Sequence, residues 1–314
     1  MEFEIGRWIS THTGKYNMSS SGMGGVLSIK KYVDLNLAYS EDDLKQMIAN
    51  LHGVDKNNIV ITHGATEGFF LVAYYLKHNN HNYYEVNLPE YELIYKVPEM
   101  LEYKKGKNDV FFGSSPNNPL GNLMEEQKNF KARVIDETFM EFYKDLDRIK
   151  YGSSYILNTF TKVYAGDELK LGYIITPEKE DAQKIEKYKG LLTESVSTYN
   201  ISIGVNILKD NDNIVKYVRE IINKNHDILI KKRERLKFYK NIVPVNVPVS
   251  FMDYSGYTRL PADQVSEKLS SAGILAVPAK LFGIDGPYLR ICTTKLNFEE
   301  SYSKLIEALK NMEN

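Results

Sequence analysis

Between residues 41 and 176 the hydrophobic period of the chain changes repeatedly, from the 3.6-residue repeat of a helix to the short apolar runs of buried strands. Ser40-Glu41-Asp42-Asp43 opens a helical pattern that runs to Leu51, with Ser40 placed as N-cap and three carboxylates in the first turn. Residues 58–62 read as a strand, 65–76 as a mostly apolar helix, 83–87 as a strand and 91–101 as a helix. Four more β-rich runs follow, at 110–112, 133–135, 155–157 and 173–175. Such alternation predicts an α/β fold, with a mostly parallel mixed sheet covered by helices on both faces. Ligands of such sheets bind beyond the carboxyl ends of the strands, so that is where chemistry is expected.

The pattern then changes. A long helix is predicted over 212–240, followed by a strand at 243–252, a helix at 261–272, a strand at 288–293 and an amphipathic helix at 298–309. A chain of 314 residues has room for two domains. The division expected is a large α/β domain over 36–215 and a smaller α+β domain built from 1–35 and 216–314, with the active site in the cleft between them. Residues 11–25 are rich in Ser, Gly and Thr and are expected to form a moving cover over that site.

Several function classes fall away on composition. Lys+Arg is 40 against Asp+Glu 41, a net charge of -1, which lacks the positive field of a duplex-binding protein; no nucleic-acid partner is expected. Cys292 is the single cysteine, so neither an internal disulfide nor a Cys-rich zinc site can form, and a reducing, cytoplasmic setting is expected. His78 and His81 lack a third ligand nearby in sequence, so no metal site is expected. No apolar run approaches the roughly 18 residues of a membrane span. Residues 1–10 carry Glu2, Glu4 and Arg7, unlike a signal peptide.

Four polar segments stand at predicted strand ends. Thr62-His63-Gly64-Ala65-Thr66-Glu67 joins a strand to a buried helix, and free N–H groups at a helix start make an anion site. Ser114-Ser115-Pro116-Asn117-Asn118-Pro119-Leu120-Gly121 brackets two amides between prolines, which is either a stiff loop or an amide held out for a ligand. In Val134-Ile135-Asp136-Glu137-Thr138-Phe139 a carboxylate leaves an apolar strand and needs a cationic partner. In Asn158-Thr159-Phe160-Thr161-Lys162-Val163-Tyr164-Ala165-Gly166 a lysine sits between apolar residues, where desolvation lowers its pKa and frees the amine as a nucleophile. Arg is scarce, eight of the 40 basic residues. Arg290 stands in a predicted strand after Gly286-Pro287, and taken alone it is open between a surface ion pair and a group that serves the site.

In order and spacing these segments, with Lys170-Leu171-Gly172-Tyr173 following Lys162 by eight residues, resemble the signatures of pyridoxal-phosphate-dependent fold type I aminotransferases. The branch that looks most similar contains histidinol-phosphate aminotransferase and threonine-phosphate decarboxylase, and the resemblance covers nearly the whole chain. It implies pyridoxal 5'-phosphate as cofactor, amino-acid and 2-oxo-acid substrates, and a homodimer. It implies that Lys162 forms the Schiff base and later moves the α-proton, while Asp136 pairs with the pyridine nitrogen. Asn118 would bond the ring's phenolic oxygen and Tyr91 would stack on the ring. Gly64, Ala65, Thr66, Thr159 and Lys170 would hold the phosphate, with Tyr39 reaching the phosphate of the neighbouring subunit. Arg290 would clamp the substrate carboxylate with its planar fork.

Two positions depart from the family pattern. Phe139 stands where a tyrosine would bond the ring oxygen, and Lys170 where an arginine would grip the phosphate bidentately. The leading reading is amino transfer. The alternatives are decarboxylation of a phosphorylated amino acid and a non-catalytic binding protein on the same fold. Thr161-Lys162-x-Tyr164-Ala165 looks similar to the decarboxylase branch, whereas Ala276-Val277-Pro278-Ala279-Lys280-Leu281-Phe282-Gly283 looks more like general amino-acid aminotransferases.

Overall fold

The computed structural model describes residues 2–34, 36, 38–125, 129–143 and 154–312. The chain begins with helix α1 (Glu4–Thr11) and the short strand β1 (Tyr16–Asn17). Helix α2 (Glu41–His52) starts where the sequence predicts: the Ser40 hydroxyl accepts from Asp43 N at 3.1 Å, and the Asp43 carboxylate accepts from Ser40 N at 2.8 Å. This reciprocal cap satisfies two of the helix's orphan donors. Then come β2 (Ile59–Thr62), α3 (Ala65–His78), β3 (Tyr83–Glu85), α4 (Glu92–Met100), β4 (Lys104–Lys105), β5 (Val110–Ser114), β6 (Ala132–Asp136), β7 (Ser154–Thr159) and β8 (Gly172–Ile175).

These strands form one seven-stranded sheet in the order β2-β8-β7-β6-β5-β3-β4. All its pairings are parallel except those of β8, which runs antiparallel to both neighbours. Both faces of the sheet are buried, and successive residues serve opposite faces. Ile59 and Ile61 join Leu44 and Ile48 of α2 on one face. Val60, from the same strand, joins Phe69 and Val72 of α3 on the other. Each such side chain contributes roughly 1.5–3 kcal/mol when buried. Helices α5 (Lys179–Leu192), α6 (Thr198–Lys209) and α7 (Asn211–Lys231) complete this layer.

Next come β9 (Lys237–Phe238), β10 (Val249–Asp253), α8 (Ala262–Ser271), β11 (Ile274–Leu275), β12 (Val277–Pro278), β13 (Tyr288–Cys292) and α9 (Phe298–Lys310). Strands β12-β13-β10-β9 make an antiparallel sheet, and β1 pairs in parallel with β11, so the N-terminal segment joins this second unit. Helix α7 spans both cores: Val218 and Ile222 pack with the large sheet, Leu229 with the small one. Among the described residues no helix is long and apolar enough to cross a membrane. Among them also, no three His, Cys, Asp or Glu side chains cluster as metal ligands. His81 pairs with Asp109 at 2.8 Å, and His78 stacks on Tyr74.

The structure corrects several expected boundaries. The helix predicted to reach residue 240 ends at Lys231; Glu234 turns left-handed at φ 49°, and Leu236 and Phe238 are drawn into the small core. The strand expected from 243 begins only at Val249, because Pro244 and Pro248 have no N–H to give a ladder. Helices α1, α5 and α6 occupy stretches the periodicity does not single out; α6 is apolar on most of its surface and buries seven residues. Residues 11–25, expected as a moving cover, are tied to both units. Cys292 N donates to Met18 O at 2.8 Å, and Met23 N donates to Lys162 O at 2.9 Å.

Candidate active site

The carboxyl ends of the parallel strands converge on one cleft. Register pairs Ser114 with Asp136 and Asp136 with Leu157, so β5, β6 and β7 end level with one another. Beside them β2 ends at Thr62, and the turn at Gly64 leads into α3. Gly64 takes φ 97°, a left-handed conformation that side chains disfavour, and no side chain caps the helix. Its first N–H groups therefore remain open beside Ala65 and Thr66. A Cβ at Gly64 would stand 3.9 Å from the Thr159 hydroxyl, in the space between helix start and β7.

Gly172 in β8 makes this approach possible. A Cβ there would lie 2.7 Å from Gly64 Cα and 2.7 Å from Asn158 O, both backbone atoms that cannot swing away. Gly172→Ala is expected to destabilise the protein by about 1–3 kcal/mol, the usual range for overpacking. Chemical denaturation checks this, and an unchanged midpoint would mean that the backbones separate freely.

Asp136 lies at the floor of the cleft, where its carboxylate accepts from Thr138 N at 2.8 Å. Burial pushes its pKa up, against the pull of Thr138 and Lys162. Lys162 lines the same cleft, and among the described residues no ion pair or hydrogen bond holds its amine. Desolvation draws its pKa below the ordinary lysine value, opposed by Asp167 and reinforced by Arg290. An amine reacts only when deprotonated, so a depressed pKa moves its reactivity to lower pH. The rate of labelling of Lys162 by an aldehyde should therefore rise with a midpoint below that of surface lysines, read by pH-dependent labelling and peptide mapping. A midpoint equal to theirs would contradict the burial argument.

Arg290, on β13, enters the cleft from the small unit and is 1% exposed. Its Nη1 donates to Asn118 Oδ1 at 3.1 Å and its Nη2 to the Ser19 carbonyl at 2.5 Å, with Phe282 stacked 5.1 Å away. Its Nε has no partner, and among the described residues no carboxylate pairs with this guanidinium. A buried, unpaired cation is costly, so the cleft is built to receive an anion there. Tyr91, at the N-terminus of α4, lines the cleft; burial pushes its phenol up to about 12, against the pull of Arg290.

The cleft thus brings together Gly64, Ala65, Thr66, Tyr91 and Asn118 with Asp136, Phe139, Thr159, Lys162, Lys170 and Arg290. Phe139 is buried and meets Phe142 edge-on. The Thr159 hydroxyl donates to Leu171 O at 3.1 Å. Tyr39 lies elsewhere in the same chain: its N–H donates to the Ser202 hydroxyl and its phenol meets Lys209. The sequence does not single out Ser19, Ser20 and Ser21, which line the same cleft as Lys162, nor Asp167, nor Glu90, which accepts from Tyr91 N. The run of three serines and the carboxylate next to Tyr91 were the available signals.

The family model described as aminotransferase class I and II matches residues 92–309. The chain is similar to histidinol-phosphate aminotransferase of Clostridium novyi, 30% identical over 244 residues, which is 74% of this chain and 65% of that protein. It therefore aligns with just under two thirds of that relative's length. It is also 26% identical over 309 residues to a putative threonine-phosphate decarboxylase of Caldanaerobacter subterraneus, 86% of this chain and 80% of that one. Aspartate aminotransferase from Thermus thermophilus with maleate shares the fold, with TM-score 0.79 at 15% identity, covering 98% of this chain and 94% of that one.

Proposed function

Because the chain belongs to the aminotransferase class I and II family, we propose that it moves an amino group between an amino acid and a 2-oxo acid. Family and fold imply pyridoxal phosphate as the cofactor. The residues fit that group. An uncapped helix start with a glycine gap suits a phosphate, a partly buried carboxylate suits a ring nitrogen that carries a proton, and an unpartnered amine suits an aldehyde.

Bound there, pyridoxal phosphate supplies an electrophilic carbon and a ring that draws electron density from the substrate's α-carbon. The chain's own residues do the rest. Asp136 would hold the proton at the ring nitrogen. Asn118 would donate to the ring oxygen, and Tyr91 would pack against the ring. The N–H groups of Ala65 and Thr66, with Thr159 and Lys170, would hold the phosphate. The Lys162 amine would be the group that attaches the cofactor and would carry the proton of the substrate's α-carbon, a role its depressed pKa favours. Arg290 fixes the substrate carboxylate, so that the α C–H bond is presented to Lys162.

The observation that carries this reading is the buried guanidinium of Arg290, unpaired with any described carboxylate, in the same cleft as the free amine of Lys162. The large domain of 36–215, the small domain of 1–35 with 216–314, the homodimer with Tyr39 reaching its neighbour's phosphate, and a cytoplasmic setting belong to the same proposal. Decarboxylation of a phosphorylated amino acid is the second reading, supported by the similarity to a putative threonine-phosphate decarboxylase. An amino-acid panel with and without a 2-oxo acid separates the readings. Amino transfer consumes the acceptor; decarboxylation releases carbon dioxide without one. Loss of neither substrate would leave a binding protein on this fold.

A further inference from the structure

Beneath the cleft lies a second carboxylate to which none of the roles above is given. Glu90 is 2% exposed and its oxygens meet four donors. Oε1 accepts from Tyr91 N at 2.7 Å and from the Ser114 hydroxyl at 2.6 Å. Oε2 accepts from Ser114 N at 2.9 Å and from Asn117 Nδ2 at 3.0 Å. The contacts continue upward: the Ser114 hydroxyl accepts from Asn118 N at 3.0 Å, and Asn118 Oδ1 accepts from Arg290 Nη1 at 3.1 Å. Asn117 in turn accepts from Leu120 N at 3.0 Å, which closes the loop on itself. One buried side chain thus touches the backbone that carries Tyr91, the end of β5, and the first amide of the Asn-Asn pair.

A buried carboxylate has to recover its lost hydration: burial pushes the pKa of Glu90 up to about 8, against the pull of the Ser114 hydroxyl and the N–H groups of Tyr91 and Ser114, and once it is ionised each of the four hydrogen bonds is charge-assisted. The arrangement is expensive unless all four are present, so it holds its partners in one geometry. An ordinary core would fill this position with an apolar side chain at less cost.

We propose that Glu90 is a positioning residue that sets the pose of Tyr91, Asn118 and Arg290 together, and thereby the affinity of the site for the substrate carboxylate. The proposal rests on the aminotransferase reading and deepens it. Glu90 touches neither substrate nor cofactor; it acts through Ser114 and Asn118. Glu90→Gln keeps the shape but turns two acceptor sites into donors that face donors.

The test compares wild type, Glu90→Gln, Ser114→Ala and the double variant, each as the full chain loaded with pyridoxal phosphate. The readouts are the cofactor's absorption band, KM and kcat for the best amino acid, and thermal unfolding. Glu90→Gln is expected to raise KM about tenfold, the worth of one misplaced hydrogen bond to a charged group, with kcat changed far less. It should also shift the absorption band, because Tyr91 and Asn118 move against the ring. Ser114→Ala breaks the same relay one link on, so the double variant should be no worse than the worse single variant. Unchanged KM and band in Glu90→Gln overturn the proposal. So does a loss that falls equally on KM, kcat and unfolding temperature and adds in the double variant, since that is general destabilisation. Wild type that neither develops the band nor turns over any amino acid removes the aminotransferase reading itself, and the inference with it.

Discussion

Lys162→Ala is expected to lower turnover by at least about 10⁴-fold, because the proposed function gives this one amine two tasks: covalent attachment of the cofactor and transfer of the α-proton. General acid–base catalysis alone is worth about 10²–10⁴-fold, and the loss of a covalent step adds to it. The fold should survive. The side chain is partly open to the cleft, and no described residue depends on it for a hydrogen bond or ion pair. The backbone contact from Met23 N to the Lys162 carbonyl is untouched by the substitution. The measurement is single-turnover kinetics beside circular dichroism. A folded variant that keeps even a tenth of wild-type turnover would move the proton transfer to another group.

Arg290→Lys should cost about 100-fold in kcat/KM, most of it in KM. The charge remains but the planar fork is lost. The side chain can then no longer meet Asn118, the Ser19 carbonyl and a carboxylate at once. Truncating or distorting one partner of a buried charge pair costs on the order of 2–5 kcal/mol, and a 100-fold loss lies within that range. The cofactor spectrum should change less than KM, since the proposed role of Arg290 is on the substrate and it reaches the ring only through Asn118. A spectrum altered as strongly as KM would show instead that Arg290 holds the cofactor.

The cleft was legible in the sequence because its parts stand at strand ends, where polar residues interrupt apolar runs. Asp136 ends β6, Asn118 follows β5, and Lys162 follows β7. Level strand ends then bring into one place residues 18 to 26 positions apart in sequence. The turn into α3 was legible through Gly64 and Thr66, but the reason for Gly172 was not: it depends on β8 lying beside β2, which no local pattern encodes.

What stayed hidden is non-local for the same reason. Glu90 reads as one more charged residue ahead of a helix; its partners Ser114 and Asn117 lie 24 and 27 residues further on. The three serines at 19–21 face the site only because β1 pairs with β11 and Met18 with Cys292. The long helix was overextended because Leu236 and Phe238 continue its apolar spacing yet serve the small core. Pro244 and Pro248 were the visible warning that residues 243–248 could not all be strand. Tyr39 belongs to the outer face of the large unit in its own chain, so its proposed contact depends on a neighbour.

The central claim is that Lys162 is the residue that bonds pyridoxal phosphate in this cleft. The direct measurement is borohydride reduction of the loaded protein followed by peptide mapping. The account predicts a long-wavelength absorption band that disappears on reduction, and one pyridoxyl adduct, on Lys162. Absence of the band, or label scattered over surface lysines, would contradict it; Phe139 and Lys170 would then mark a cleft that no longer retains the cofactor.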